Sequence, residues 1–558
     1  MLGACSRLRW RVAVIAFCPA TPLRGRFAWL VVLAMLLASL QGCRSTAFRT
    51  TVPEAPEQAW TSARQWEVKA TRNGTARAWL QCAADAYLAL EDARLRQAAS
   101  DLARRCTNQY LQGVSRLPEQ LDPNGIPLGG AQVVVETRGL SPNLIPPISV
   151  HAEPSRPPLR SVGRPTLGVP VVLTSKRCSG EPRCQLLPPE GIFRGGTVWV
   201  ERSLDGGVPR LVVAGEQVAV ADVAGVAYDL HHDAGAPYSR GVRVSKLNRL
   251  GVWGLIGGRE MGRRAGVYLL EDYDPVKRPL VMIHGLGSSP LIWEKLSNAV
   301  WSSPELRARY QVWHVVYQTD APLLVQRRRV QRYLDQAWQI LDPEGDDPAR
   351  THIVLVGHSL GGVIARMLSV DSGDGLWNAA FLVPPAELVA SDEERDLLNG
   401  VFHFSRYPGV KRAIFIASPH RGSPNAIRWF GRLARALVGK RNTEVTALLK
   451  IARRNPDAIQ PGLREAYLKG RINSISTLQP TQPVSAAGQA LAPGPDIRFH
   501  TIAGVKSSLR QTDGVVPLDS ASLSGAESTL IVQSGHNVHE HPQAIVEVLR
   551  ILREGAQQ

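Results

Sequence analysis

Along the C-terminal half, short uniformly apolar runs alternate with stretches whose apolar residues recur at helical spacing. Pro279-Leu280-Val281-Met282-Ile283, Gln311 to Tyr317 and Ile353 to Val356 read as buried strands. Between them, Leu291 to Ala299 predicts a helix, and Val325 to Leu341 sets Val330, Tyr333, Leu334, Ala337, Trp338 and Leu341 along one face. The series continues with a strand ending at Ile416, strands Ile497 to Ala503 and Ser528 to Val532, and a terminal helix Ala544 to Leu552. Strands alternating with helices imply βαβ crossovers and a mostly parallel sheet with helices on both faces. Ligands of such a sheet collect outside the carboxyl ends of its strands.

The N-terminal half follows a different pattern. Residues 43–74 read as a polar tether, and Thr75 to Leu111 has helical composition. Pro118 to Pro170 is rich in proline and glycine, with strand-like pieces at 131–136 and 169–174; Thr197 to Val200 and Arg210 to Val220 add further β signals. Residues 75–245 therefore read as an accessory region of mixed α and β structure, and 246–558 as the α/β domain.

Two glycine turns stand at predicted strand ends. The run from Ile353 breaks into Gly357-His358-Ser359-Leu360-Gly361, which predicts a serine on a sharp strand-to-helix turn, exposed as a nucleophile. Glycines flank it because bulkier residues would clash with the neighbouring strand and helix. The strand ending at Ile283 runs into His284-Gly285-Leu286-Gly287-Ser288-Ser289-Pro290. A glycine turn there lets backbone N–H groups face a pocket, as acyl transfer requires for its developing oxyanion. The candidate donors are the N–H groups of Leu286 and Leu360.

With these pieces in hand, residues 246–558 resemble an α/β-hydrolase of the lipase and esterase kind. The resemblance rests on His284-Gly285-Leu286-Gly287, the turn at Ser359, Ala417-Ser418-Pro419-His420-Arg421-Gly422-Ser423-Pro424, and Thr512-Asp513-Gly514-Val515-Val516-Pro517. It implies the chain order Ser, Asp, His for a catalytic triad. Asp513, in the loop beyond the Ile497 strand, is the chosen acid, with Asp371, Asp374 and Asp392 as competitors. The resemblance puts the base in the loop after the Ser528 strand, where His536 is the choice, His539 second and His541 third. Three histidines so close also invite a zinc reading, but no nearby Cys or regular His-Glu pattern completes a site. Neither a metal nor an organic cofactor is expected. His231 and His232 read as an ordinary strand-end pair.

The N-terminus bears on location. Arg7, Arg9, Arg11, Arg24 and Arg26 precede an uncharged apolar run from Phe27 to Leu40, too short for a comfortable membrane span of about 20 residues. Residues 1–42 thus read as a signal peptide. Leu40-Gln41-Gly42-Cys43 resembles the bacterial lipobox, which implies lipidation of Cys43; by the same analogy Arg44 implies passage to the outer membrane, facing the periplasm. Setting aside Cys5, Cys18 and Cys43 leaves Cys82, Cys106, Cys178 and Cys184, an even set for an oxidising compartment. Cys178 with Cys184, and Cys82 with Cys106, are candidate disulfides, with four free thiols as the alternative. Removing 1–42 takes five arginines and no acid, so the formal charge falls from +17 to +12. Without base-reading motifs this charge speaks against nucleic acid and for anionic headgroups, or simply for solubility.

Residues 424–480 read as most of a cap insertion between the strands near 412 and 497. Within it, Ala426 to Val438 sets Phe430, Leu433 and Leu437 on one stripe, the pattern of a lid helix or of an ordinary packed cap helix. The sequence supports a membrane-anchored serine hydrolase acting on lipid or other acyl esters. Acyl transfer or thioester hydrolysis would use the same residues, and a silent envelope lipoprotein on a hydrolase scaffold is the non-enzymatic alternative.

Overall fold

The apolar runs of the C-terminal half are strands of one sheet. The computed structural model describes residues 53, 55–120, 122–152, 164–202, 207–245, 262–423, 443–507, 509 and 511–556. The segment 1–42, Cys43 and the helix expected at Ala426 to Val438 lie outside them. The C-terminal sheet contains β10 (Gly266–Leu269), β11 (Arg278–Ile283), β12 (Tyr310–Val316), β13 (Ile353–His358), β14 (Val410–Ile416), β15 (Arg498–Val505) and β16 (Ser528–Gln533). Their order is β10-β12-β11-β13-β14-β15-β16, and every neighbouring pair is parallel except β10 with β12. The expected α/β architecture, mostly parallel, is therefore present.

Among the described residues, nine strands precede these: β1 (Ile126–Leu128), β2 (Ala131–Arg138), β3 (Ser149–Ala152), β4 (Thr166–Leu167), β5 (Val169–Ser175), β6 (Ile192–Glu201), β7 (Arg210–Gly215), β8 (Val220–Val223) and β9 (Val226–Leu230). Six form a mixed sheet of order β1-β2-β7-β6-β5-β3, and β4-β9-β8 form a smaller one. Three helices pack with the six-stranded sheet: α1 (Pro56–Asn73), α2 (Ala76–Leu88) and α3 (Arg96–Gln112). Val133, Val198 and Leu211 of the sheet share one buried cluster with Leu80, Leu102 and Tyr110 of the helices. Cys82 and Cys106 form a disulfide between α2 and α3, and Cys178 is bonded to Cys184.

The tether expected over residues 43–74 needs correction. Its second half is α1, which buries Ala59, Ala63 and Ala70 completely. Alanine buries little area, so the helix carries no apolar stripe of the usual kind, yet it approaches its neighbours closely. The expected domain boundary at 245/246 is also softer than the sequence suggests. Residues 53–558 form one compact unit, and Tyr238 of α4 (Ala236–Val244) joins a cluster with Leu280 and Trp293 of the C-terminal half. Leu186 likewise packs with Val267 and Leu269 of β10. Arg194 of β6 donates to the Leu270 carbonyl at 2.9 Å and pairs with Asp272 at 2.8 Å, just beyond that strand.

Helices flank the C-terminal sheet: α5 (Glu294–Trp301), α6 (Leu323–Leu341), α7 (Leu360–Met367) and the last, α11 (Pro542–Ala556). α6 buries Val330, Leu334, Ala337 and Trp338 in one cluster with the sheet, where Trp338 meets Trp313 of β12 at 4.9 Å. Between them lies the cap: α8 (Asp392–Phe402), α9 (Thr443–Arg454) and α10 (Pro461–Lys469). Leu376, Trp377, Phe381, Leu398, Leu448, Ile451 and Leu463 share one cluster there. The cap is thus built from two excursions, one before β14 and one after it, whereas the expected insertion at 424–480 covers only the second.

One carboxylate organises the N-terminal helices. Asp85 of α2 pairs with Arg202, just past β6, at 2.6 Å, and accepts from Ser62 of α1 at 2.6 Å. Both side chains of the ion pair are nearly inaccessible, at 4% and 2% exposure. Burial pushes the Asp85 carboxyl up, against the pull of Ser62 and Arg202. Removing one member of a buried pair strands the other charge. Asp85→Ala should therefore lower stability by about 3 kcal/mol in urea unfolding; a loss below about 1 kcal/mol would show that the pair contributes little.

Candidate active site

Ser359 sits between the last residue of β13 and the first of α7, with φ 53° and ψ −122°. A positive φ is rare outside glycine and costs of order 1–3 kcal/mol. The turn is held by its surroundings: Ser359 N–H donates to the Ile416 carbonyl of β14 at 2.9 Å. Two glycines make the turn possible through close approach rather than through their own flexibility. A Cβ on Gly361 would collide with the backbone carbonyls of Ile283 and His284, and one on Gly357 with the backbone of Gly361 and Gly362. The helix start therefore packs backbone to backbone against the end of β11.

The structure brings Ser359, His536 and Asp513 together. Ser359 Oγ–H donates to His536 Nε2 at 2.9 Å, and His536 Nδ1–H donates to Asp513 Oδ2 at 2.7 Å. Asp513 Oδ1 accepts from the backbone N–H groups of Val515 and Val516 at 2.8 and 2.7 Å. That turn fixes the carboxylate through one oxygen and leaves the other for the imidazole. Asp513 is buried, Ser359 is 7% exposed and the His536 side chain 12%.

The turn His284–Gly287 lies beside the serine. A Cβ on Gly285 would stand 3.0 Å from Ser359 Cβ, tighter than ordinary contact, so a side chain there would press on the serine. Tyr317 O–H donates to the His284 carbonyl at 2.7 Å, and its ring stacks on the His284 imidazole at 4.5 Å. Gly287 N–H donates to Thr319 Oγ1 at 3.2 Å. Leu286 follows Gly285 directly, and Leu360, as the first residue of α7, has an N–H with no partner inside its own helix. Leu360 thus adjoins Ser359 in the chain, and Leu286 adjoins Gly285, which lies against Ser359.

The competitors are engaged elsewhere. Asp371 accepts from Arg406 N–H at 2.8 Å, Asp374 meets His403 at 3.2 Å and Asp392 faces Arg395 at 3.7 Å. His539 packs edge-on to Trp293 at 5.9 Å and against His358 at 4.2 Å. His541 precedes α11. His231 and His232 follow β9, where His232 Nδ1 meets Thr197 Oγ1 at 3.0 Å. Among the described residues, acids close enough to share a cation are Asp342, Asp346 and Asp347. There Asp342 Oδ1 accepts from the N–H groups of Gly345 and Asp346 and serves the turn.

Sequence reasoning missed His358. Its Nε2–H donates to the His536 carbonyl at 2.9 Å, tying the base-bearing loop to the serine turn. Burial, reinforced by the neighbouring His539 and His536, holds the His358 imidazole well below its ordinary value, so it stays neutral. The only signal in the sequence was its place beside Ser359, which says nothing about its partner.

An apolar cavity of about 60 Å³ lies beneath the cap, lined by Leu324, Val363, Met367, Phe402, Leu448 and Val484. Val363 is one helical turn beyond Ser359.

This geometry agrees with a match in sequence: residues 280–548 fit the profile of the alpha/beta hydrolase family. This domain belongs to that family. No curated protein matches the chain. Among solved structures, the hydrolase domain is similar to the mature Bacillus licheniformis lipase BlEst2 at 16% identity, covering 50% of this chain and 94% of that one, with a TM-score of 0.29. It is also similar to a putative aryl esterase from Burkholderia cenocepacia at 14% identity, covering 52% and 96%, with a TM-score of 0.26. Esterase B from Lactobacillus rhamnosis matches at 16% identity, covering 52% and 80%, with a TM-score of 0.27.

Buried neutral histidines give the hydrolase domain a pH signature. Burial lowers His284 to about 4, His500 to about 4 and His539 to about 4, against 6.5 for the free side chain. Between those values the unfolded chain binds protons that the folded one refuses, so stability is complete above pH 6.5 and falls as pH drops toward 4. Each histidine contributes up to about 1 kcal/mol per pH unit in that window. Urea midpoints should fall clearly from pH 7 to pH 5; an unchanged midpoint would mean that these imidazoles titrate normally.

Proposed function

We propose that this protein is a serine ester hydrolase, with Ser359 as nucleophile, His536 as general base and Asp513 as the group that orients it. The observation that carries the reading is the chain of hydrogen bonds from Ser359 Oγ through both nitrogens of His536 to Asp513, set on a strained turn. His536 Nε2 takes the Ser359 proton as Oγ attacks the ester carbonyl. Asp513 holds the tautomer and steadies the imidazolium. The N–H groups of Leu286 and Leu360 receive the oxyanion, a contribution of roughly 3–4 kcal/mol per donor. His536 then protonates the leaving alcohol, and water activated by the same imidazole opens the acyl-enzyme and restores Ser359.

The apolar cavity beneath the cap and beside α7 supports an acyl ester as substrate. The lipobox-like Leu40-Gln41-Gly42-Cys43 supports anchoring through acylated Cys43 at the periplasmic face of an outer membrane. Basic charge favours an approach to anionic lipid surfaces.

A fluorophosphonate probe should label the wild type and leave Ser359→Ala unlabelled; a folded wild type that stays unlabelled would favour the silent-scaffold reading. Asp513→Asn should retain the fold and lower kcat by about 10⁴-fold, since the imidazole then adopts the wrong tautomer. Cys43→Ser should move the protein from the membrane to the soluble fraction and abolish incorporation of labelled palmitate. Continued membrane association with no palmitate in the wild type would assign residues 27–40 as the anchor instead.

A further inference from the structure

At the end of the seven-stranded sheet remote from Ser359, the strands begin around a basic crevice of about 210 Å³. Arg278 opens β11, His352 precedes β13, Lys411 and Arg412 lie at the start of β14, and Arg498 opens β15. Asp496 is the one carboxylate among the described residues that line it. The crevice and Ser359 stand at opposite ends of β13, about 17 Å apart at 3.3 Å per residue, so it is no part of the esterase site.

The acids nearby are shared too widely to neutralise these cations. Asp496 serves both Lys411 at 3.2 Å and Arg406 at 3.5 Å. Glu527 serves both Arg412 at 3.3 Å and Arg498 at 3.2 Å, while Glu554 is held by Arg550. Arg278 has no acidic partner among the described residues and donates to the Gly555 carbonyl. Arg412, only 5% exposed, is fixed from behind by His500 at 2.7 Å. The excess positive field reaches His352, which burial and then Arg278 and Lys411 hold below its ordinary value.

We infer that this crevice binds a phosphate group, with Arg278, Lys411 and Arg498 around it and Arg412 at its base. Planar guanidinium forks match phosphate oxygens two at a time, and a tetrahedral oxyanion offers oxygens to several cations at once. The phosphate belongs either to an anionic lipid headgroup or to a soluble ligand, and the two sources are separable.

The test uses the full-length chain, sedimented with vesicles of phosphatidylcholine alone or of phosphatidylcholine mixed with phosphatidylglycerol, and titrated calorimetrically with inorganic phosphate. The N-terminal segment, with its five arginines, is the same in every variant and so cancels in the comparison. Lys411→Gln with Arg498→Gln alters two half-exposed side chains, and a charge-matched control, Arg464→Gln with Lys469→Gln on α10, accounts for overall charge. The crevice variant should lose about tenfold of the preference for the anionic vesicles, and the control far less. Hydrolysis of a soluble ester should not change. Saturable phosphate binding that the crevice variant loses, without any vesicle preference, also supports the site and assigns it to a soluble ligand. Equal losses in both variants, or neither phosphate binding nor vesicle preference, would overturn the inference.

Discussion

The packing of the first turn of α7 against the end of β11 is the contact on which the site depends. Gly361 lies against the carbonyls of Ile283 and His284 with no space for a methyl group, and three features meet at this contact. Ser359 takes φ 53° just before it, the turn carrying Gly285 and Leu286 lies beside the serine, and the two expected oxyanion donors belong to the two segments that touch. A local steric constraint thus sets a functional geometry. The strain at Ser359 persists because β11, β13 and β14 hold the turn from three sides.

What was legible follows from that locality. The strands of the C-terminal sheet are short apolar runs, and their ends carry glycine patterns that few other structures need, so β11, β13 and Ser359 could be read without knowing any partner. Asp513 was reachable from its place in the loop beyond a strand, and His536 from the resemblance, although chain order alone also admitted Asp371, Asp374 and Asp392. The choice of His536 over His539 rested on nearness to the strand end, and the structure brings His536, not His539, to Ser359.

Other features are invisible for physical reasons. α1 is buried by alanines, so its composition reads as polar and the segment passed for a tether. The first half of the cap, around Leu376, Trp377 and Phe381, carries an apolar cluster whose partners on α9 and α10 lie far along the chain. His358 gives no hint of its bond to the His536 carbonyl, a contact across 178 positions. Each of these depends on what meets what after folding, and a single sequence does not encode that as a local pattern.

The N-terminal region has a consequence for the hydrolase sheet that is separate from chemistry. β10 is the outermost strand on its side, and an open strand edge is a template for pairing with another chain. Here Arg194 occupies the first carbonyl past that strand, and Leu186 seals its apolar face. The N-terminal region therefore packs beside the outermost strand, where a second sheet pairing edge to edge would have to make room for it.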